Sequence, residues 1–519
     1  MKKTFLLLLF SFMTSQINFG QVYLQWVDRY NFNNNFSPNY GYNINHDTHG
    51  NIYVTGVSSG NLQGRLDMIL LSFSESGNLN WLKRFADTIT PPSLNNWNAG
   101  SSILFDGSYN IFIGGSRIWN YTSTGELIWN VFTPYNKGFA KIFFDKNYGI
   151  LSSTEFANNS FLIRKYSYSG DSLWEKRFKP EGTIAARWKD AAKDNEDNII
   201  TAGYMNKPGI GDEYDFMTVK YSSNGNYIWA NRFDQGIDNL CYAMTVDDSN
   251  NVYVTGNTQN ANYDMVTIKY SHDGSLIWQK IFNGGSGDTG YDIEVDKNDN
   301  VYVAGRAGGL GLTLTKYDKN GNEIWFRNRP DNALGNYPVL RLDRENNPYV
   351  AFFLVTPQGG ETCAIEKYDT AGNSKWLAKY SVDSTTSLQK INDFFIDSTF
   401  SIYATGRSNN KVMTLKYVQI PTAVNETTDL LVKNFYLSQN YPNPFNPTTN
   451  LGFGISELGF ISLKVYDSQG KEVATLVNEN KEPGYYNIQF DGSKLSSGVY
   501  YYILESKGLS QTKRMMLLK

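Results

Sequence analysis

Short runs of β-branched and aromatic residues alternate with Asn/Asp/Gly corners along most of the chain. Between Leu240 and Phe282 an alternating run ends at Asp247, and a tight corner follows at 248–251. Then come the run 252–256, a variable loop, the run 265–270, a turn at Gly274 and a last run to Phe282. Runs of this length and residue type, bounded by such corners, predict a four-stranded antiparallel meander. One meander cannot bury both of its faces, so it needs copies of itself.

The chain supplies eight copies. Their first runs end in Asp47, Asp106, Asp145, Asp194, Asp247, Asp296, Asp343 and Asp397. Four residues on, six copies carry Asn, and two further on the second run begins, at Tyr53, Tyr253, Tyr302 or an equivalent. Third runs end in Lys-Tyr, as at Tyr221 and Tyr270; a glycine follows four later and a tryptophan four beyond it in seven copies. The eighth copy stops at Tyr417 without its Gly/Trp run, whereas Val22–Tyr30, with Trp26, matches the missing piece. A spare strand at one end that completes a sheet at the other closes a ring and removes the open ends a solenoid would have to cap. The expected fold is all-β, an eight-bladed β-propeller over 22–417 closed by its N-terminal strand. The corner aspartates can accept backbone N–H bonds as Asx turns, with calcium binding at oxygen-rich corners such as 296–300 as the alternative.

These Asp…Asn-x-Tyr-Val-x-Gly and Gly-x-x-x-Trp patterns resemble the bacterial extracellular propeller repeats called SBBP repeats. That family name implies seven blades, against the eight counted here, so seven remains possible. Copies two and three are degenerate: Thr133 stands where others have Phe or Tyr, and Thr154 replaces a strand-ending glycine. The resemblance speaks for fold and is weak for function.

Composition narrows the function classes. The 519 residues carry a net charge of −3 and no basic stripe, which argues against a nucleic-acid binder. Cys241 and Cys363 are the only cysteines and lack metal or redox spacing. Residues 1–20, with Lys2 and Lys3 ahead of a short apolar run, predict a signal peptide. No later apolar run approaches membrane-spanning length, so no transmembrane segment is expected in the mature chain.

The second-to-third and blade-to-blade loops vary in length, so binding is assigned to their rim. Trp97, Trp119 and Trp188 fall in or beside that rim, and Tyr42, Tyr242 and Tyr291 begin first strands next to it. Such rings suit sugars or peptide side chains, or else plug loops onto blade edges. Asp190, Asp292 and Asp393 occupy equivalent first-strand positions near the channel. They could supply paired carboxylates, or be solvated channel residues or partners of Lys141 or Arg341. The three histidines, His46, His49 and His272, form no nucleophile or metal motif, and no phosphate-cradling loop is present. A quinone-cofactor dehydrogenase also fits eight blades, but no cofactor ligands stand out. The reading is a non-catalytic monomeric module for glycan or protein without a cofactor, against a carbohydrate-active or other hydrolytic enzyme at the channel mouth.

After residue 417 the repeat ends. Residues 418–436 read as a linker, and 437–519 as a small module of alternating strands, an immunoglobulin-like sandwich. Asn-Tyr-Pro-Asn-Pro-Phe-Asn-Pro-Thr-Thr, Val465-Tyr466-Asp467 and Leu495-Ser496-Ser497-Gly498-Val499-Tyr500 closely resemble the type A C-terminal sorting domain of the type IX secretion system. The resemblance implies Sec export, recognition by the outer-membrane translocon and its sortase, and a secreted or surface-anchored destination. Lys513, Arg514 and Lys519 are the candidate translocon-facing charges, or else solvated charges on a terminal strand.

Overall fold

The computed structural model describes residues 19–31, 39–59, 66–85, 100–132, 136–156, 159–207, 209, 213–285, 287–330, 333–356, 359–382, 388–421, 436–437, 439–440, 443–455, 458–481 and 484–518. Among them every regular element is a strand. Phe19–Ile420 is one compact unit, and Pro421–Lys519 belongs to a second.

The first unit holds eight four-stranded antiparallel sheets among the described residues. The fifth is representative: Asn239–Val246, Val252–Gln259, Tyr263–Tyr270 and Leu276–Phe282 pair in chain order. The last sheet is assembled from both ends, with Phe19–Tyr30 beside Lys411–Pro421. First strands pack against first strands in sequence, and Tyr40–His46 packs against Gln389–Ile396, which brings the circuit back to its start. Sheets arranged in this way are consistent with propeller blades, whose first strands line a central channel.

The repeat pattern has a direct physical reason. Asp247 Oδ1 accepts from the backbone N–H of Ser249 (2.9 Å) and Asn251 (2.8 Å). Its Oδ2 accepts from Asn251 Nδ2 (2.8 Å) and from the hydroxyl of Tyr253 (2.9 Å). One carboxylate thus fixes the corner, the asparagine four residues on and the tyrosine six on. Lys220 Nζ lies 2.8 Å from Asp194 and Lys165 Nζ 2.6 Å from Asp145, so the lysine of the Lys-Tyr pair answers the corner charge. At the oxygen-rich corner 296–300, Asp296 forms the same Asx turn, accepting from Asn298 N (2.8 Å), Asn300 N (2.9 Å) and Asn300 Nδ2 (2.9 Å).

The Gly-x-x-x-Trp spacing joins neighbouring blades. Trp229 Nε1 donates to the His272 carbonyl (3.1 Å), and a Cβ on Gly274 would lie 2.8 Å from the Trp229 ring. Gly274 also has φ +90°, so its turn asks for glycine twice. The same relation links Trp81 to Gly125, Trp129 to Gly170, Trp174 to Gly225, Trp278 to Gly321 and Trp325 to Gly372. Trp376 faces the sheet whose own turn is missing, and Gln419 replaces it. Gln419 Oε1 accepts from Trp376 Nε1 (3.3 Å) and Lys367 Nζ (3.2 Å).

The second unit is a two-sheet sandwich. One sheet is Tyr436–Leu437, Thr448–Ile455 and Gly484–Asp491; the other is Glu472–Lys481, Gly459–Asp467, Gly498–Ser506 and Leu509–Leu517. Leu451, Phe453 and Phe490 of the first meet Leu463, Val465, Tyr502 and Leu517 of the second in one buried core. Lys513 is half-buried on the core side of its strand, with Met515 and Leu517, while Arg514 points outward, so the two do not form a joint basic patch. Lys519 lies outside the described residues.

Candidate functional site

Six of the first strands slip by one residue at the same point. The extra residues are Tyr42, Ser101, Lys189, Tyr242, Tyr291 and Asn392. In the third and seventh sheets the irregularity is longer, spanning 137–139 and 335–338. A bulge leaves a residue out of the ladder and re-aims its side chain. All six line the channel, in two cavities of about 640 and 430 Å³ that share Lys141, Lys189, Asp190, Arg341 and Asn392. In six of the eight sheets the fold thus repeats a device that turns one side chain toward these cavities.

Around the larger cavity these side chains form a tyrosine cluster. Tyr242 and Tyr291 meet edge-on with centroids 5.2 Å apart, and Tyr337 lies 4.8 Å from Tyr291 and 6.3 Å from Tyr242. Tyr337 is 54% exposed and sits at φ +63°. Lys189 Nζ lies 5.1 Å from the Tyr242 ring centroid and 5.4 Å from that of Tyr204; Lys390 Nζ lies 5.2 Å from that of Tyr337. Burial lowers both lysines from their ordinary value. Tyr42 packs edge-on against Phe139 (5.2 Å) at the smaller cavity, and burial pushes its hydroxyl up to about 12.

The three aspartates, which line the same cavities, act as staples between neighbouring sheets. Asp190 accepts from Met244 N (3.2 Å), Asp292 from Leu340 N (2.8 Å) and Asp393 from Ile44 N (3.3 Å), each on the next first strand. Asp393 also accepts from Asn43 Nδ2 (2.6 Å). Lys141 Nζ pairs with Asp190 at 2.7 Å. Arg341 spans Asp292 (3.3 Å), Glu294 (3.7 Å) and Asp393. Burial raises Asp292 and pushes Glu294 up to about 7, with Arg341 opposing it. The oxygens of the three aspartates are engaged in backbone and cation contacts, the partner role with Lys141 and Arg341.

The aromatic candidates separate. Trp188 is half-buried beside the smaller cavity, its Nε1 donating to Ser153 Oγ at 2.9 Å. Trp119 must be corrected: it is 0% exposed in Arg117–Tyr121, packed edge-on against Phe85, and offers no face to a ligand. Trp97 lies outside the described residues. Sequence reasoning missed Lys189, Tyr337 and Lys390. Lys189 was within reach, because it precedes Asp190 as Tyr291 precedes Asp292. Both cysteines are buried and free, and the described residues contain no cluster of metal-ligating side chains.

Comparison with known proteins agrees with this architecture. Residues 439–518 match the secretion system C-terminal sorting domain, and residues 239–264 match the β-propeller repeat. The chain is thus an all-β protein with a propeller repeat and a type IX secretion sorting tail, and the tail marks it for the cell surface or the medium. An uncharacterized WD repeat-containing protein of Acanthamoeba polyphaga mimivirus is 24% identical over 217 residues, 37% of this chain and 14% of that protein's length. Among solved structures, PorZ, a surface component of the type-IX secretion system of Porphyromonas gingivalis, is 13% identical with a TM-score of 0.39. The likeness covers 92% of this chain and 59% of PorZ. Drosophila Semaphorin 2a is 9% identical with a TM-score of 0.41, covering 97% of this chain and 99% of its own. Neither structure carries a functional assignment to this chain.

Proposed function

We propose that the chain is a Sec-exported type IX cargo whose propeller, residues 22–417, is a non-catalytic module for a glycan or protein ligand. In this reading residues 1–20 are the signal peptide, 418–436 the linker and 437–519 the sorting domain read by the translocon and its sortase. The observation that carries the binding role is the cluster of Tyr242, Tyr291 and Tyr337 at a cavity of about 640 Å³. Rings set at angles around a concavity of this size bury apolar ligand faces while their hydroxyls bond polar edges. The engaged aspartates favour binding over hydrolysis, because a general acid or base needs a carboxyl free to exchange its proton.

The test is a screen of the full mature chain on glycan and peptide arrays, repeated with Tyr242→Ala and Tyr291→Ala. Binding that the tyrosine changes weaken, without product formation, supports the module. A second reading, a hydrolase, draws on Glu294, whose carboxyl near 7 suits proton transfer. Product formation abolished by Glu294→Gln would replace the binding reading with that one.

A further inference from the structure

Lys189 and Lys390 differ from every other cation in the channel. Lys141 and Arg341 are paired with carboxylates, and Lys193 is paired with Asp197. Among the described residues, neither Lys189 nor Lys390 makes an ion pair; aromatic faces lie beside them, Tyr242 and Tyr204 for one and Tyr337 for the other, while Glu155 with Arg187 and Glu361 with Arg407 act on them from farther off. The nearby carboxylates are already committed: Glu155 to Arg187 at 3.4 Å and Glu361 to Arg407 at 3.2 Å. Both lysines line the same cavity as the tyrosine cluster. A half-buried ammonium with no carboxylate in direct contact is costly to hold, and an anion entering the cavity relieves that cost.

We propose that this mouth takes an acidic sugar chain, a uronate-bearing oligosaccharide. Its carboxylates would meet Lys189 and Lys390, and its rings the faces and edges of Tyr242, Tyr291 and Tyr337. The inference rests on the tyrosine-lined mouth being the binding site, and it adds the charge of the ligand. An acidic peptide fits less well. An extended peptide would add to the inner strand edges, and the backbone donors Met244 N, Leu340 N and Ile44 N on those edges already bond Asp190, Asp292 and Asp393. A sugar chain needs no strand edge.

The experiment is calorimetric titration of the full mature chain with three probes: an oligogalacturonate, a neutral cello-oligosaccharide of equal length and a poly-glutamate peptide. The expected result is oligogalacturonate binding that weakens about tenfold with Lys189→Gln and again with Lys390→Gln. Lys→Arg at either position should restore most of it, and added salt should weaken it. Equal affinity for the neutral oligosaccharide, lost with Tyr242→Ala but indifferent to both lysines, would overturn the inference and keep the binding module. Lysine-dependent binding of poly-glutamate in preference to the oligogalacturonate would overturn the sugar class. Oligogalacturonate bound with unchanged affinity by both the lysine and the tyrosine variants would overturn the inference and its site together.

Discussion

Trp26, from the first strand of the described chain, lies on Gly77 in the first sheet's outer turn. Its Nε1 donates to the Glu75 carbonyl at 3.0 Å, and a Cβ on Gly77 would stand 2.6 Å from its ring. This is the contact that Trp229 makes with Gly274, here spanning the two ends of the ring. Trp26→Ala removes a buried indole at the seam and should destabilise the first unit by about 3–5 kcal/mol. Gly77→Ala, at φ +87°, should cost about 2 kcal/mol through strain and overlap. Calorimetric melting of both variants checks this. If Trp26→Ala melts like the wild type, the seam is not where the ring is held.

The staple of Asp393 makes a second prediction. Asp393 accepts from Asn43 and Ile44 across the same seam and pairs with Arg341. Asp393→Ala leaves Ile44 N and Asn43 without an acceptor and Arg341 with one carboxylate fewer, a loss of about 2–3 kcal/mol. Asp393→Asn keeps one acceptor oxygen and should lose less. Urea unfolding of the two variants measures the difference, and equal losses would mean that the charge, not the hydrogen bonds, holds the seam.

What could be read in advance follows from the range of each interaction. Asp247, Asn251 and Tyr253 lie within seven residues, and their spacing records one saturated carboxylate. The Gly274 and Trp278 spacing is legible for the same reason, since every blade must meet its neighbour identically. Trp26 was readable because the missing copy at residue 417 left one place for it. The bulges were not readable: whether Tyr242 or Ala243 leaves the ladder depends on pairing with Thr255 and Gly256, which residue type alone does not encode. Trp119 was misread because loop length fixes a rim but not the direction of a side chain within a strand. The tyrosine cluster was legible in part, as Tyr242 and Tyr291; Tyr337 comes from a longer irregular stretch that only the third sheet matches.

Glu294 makes the channel sensitive to pH. Its carboxyl is held near 7, against an ordinary 4.5, mainly by burial. Between these values the unfolded chain has lost a proton that the folded chain keeps, so stability falls as pH rises across the window. The contribution is fully present below 4.5 and lost above about 7. Glu294→Gln, which leaves Arg341 its contacts with Asp292 and Asp393, should match the wild type at pH 4.5. At pH 8 it should exceed it by roughly 1 kcal/mol, discounted for the open channel. Denaturant titrations at both values decide it; a pH-independent difference would place the effect in packing.

The opening motif of the sorting tail has a structural task that predicts its sensitivity. Phe445 N donates to the Met516 carbonyl (2.9 Å) and Leu518 N to the Phe445 carbonyl (3.0 Å), while Met516 N donates to Asn443 Oδ1 (2.8 Å). The Asn-Pro-Phe segment therefore lies along the outer edge of the last strand, where it occupies groups that would otherwise pair with another chain. The Phe445 ring is buried beside Phe490 in the core shared by both sheets. Phe445→Ala should cost the second unit about 3–5 kcal/mol and expose that edge. In cells the variant should accumulate in the periplasm, as should a chain lacking residues 441–519. Asn443→Ala, which removes the side-chain bonds to Met516 N and the Arg514 carbonyl but no core packing, should reach the surface at a reduced level. Fractionation with immunoblotting distinguishes the three. Normal surface delivery of Phe445→Ala would mean that the translocon reads the last strand without needing its edge sealed.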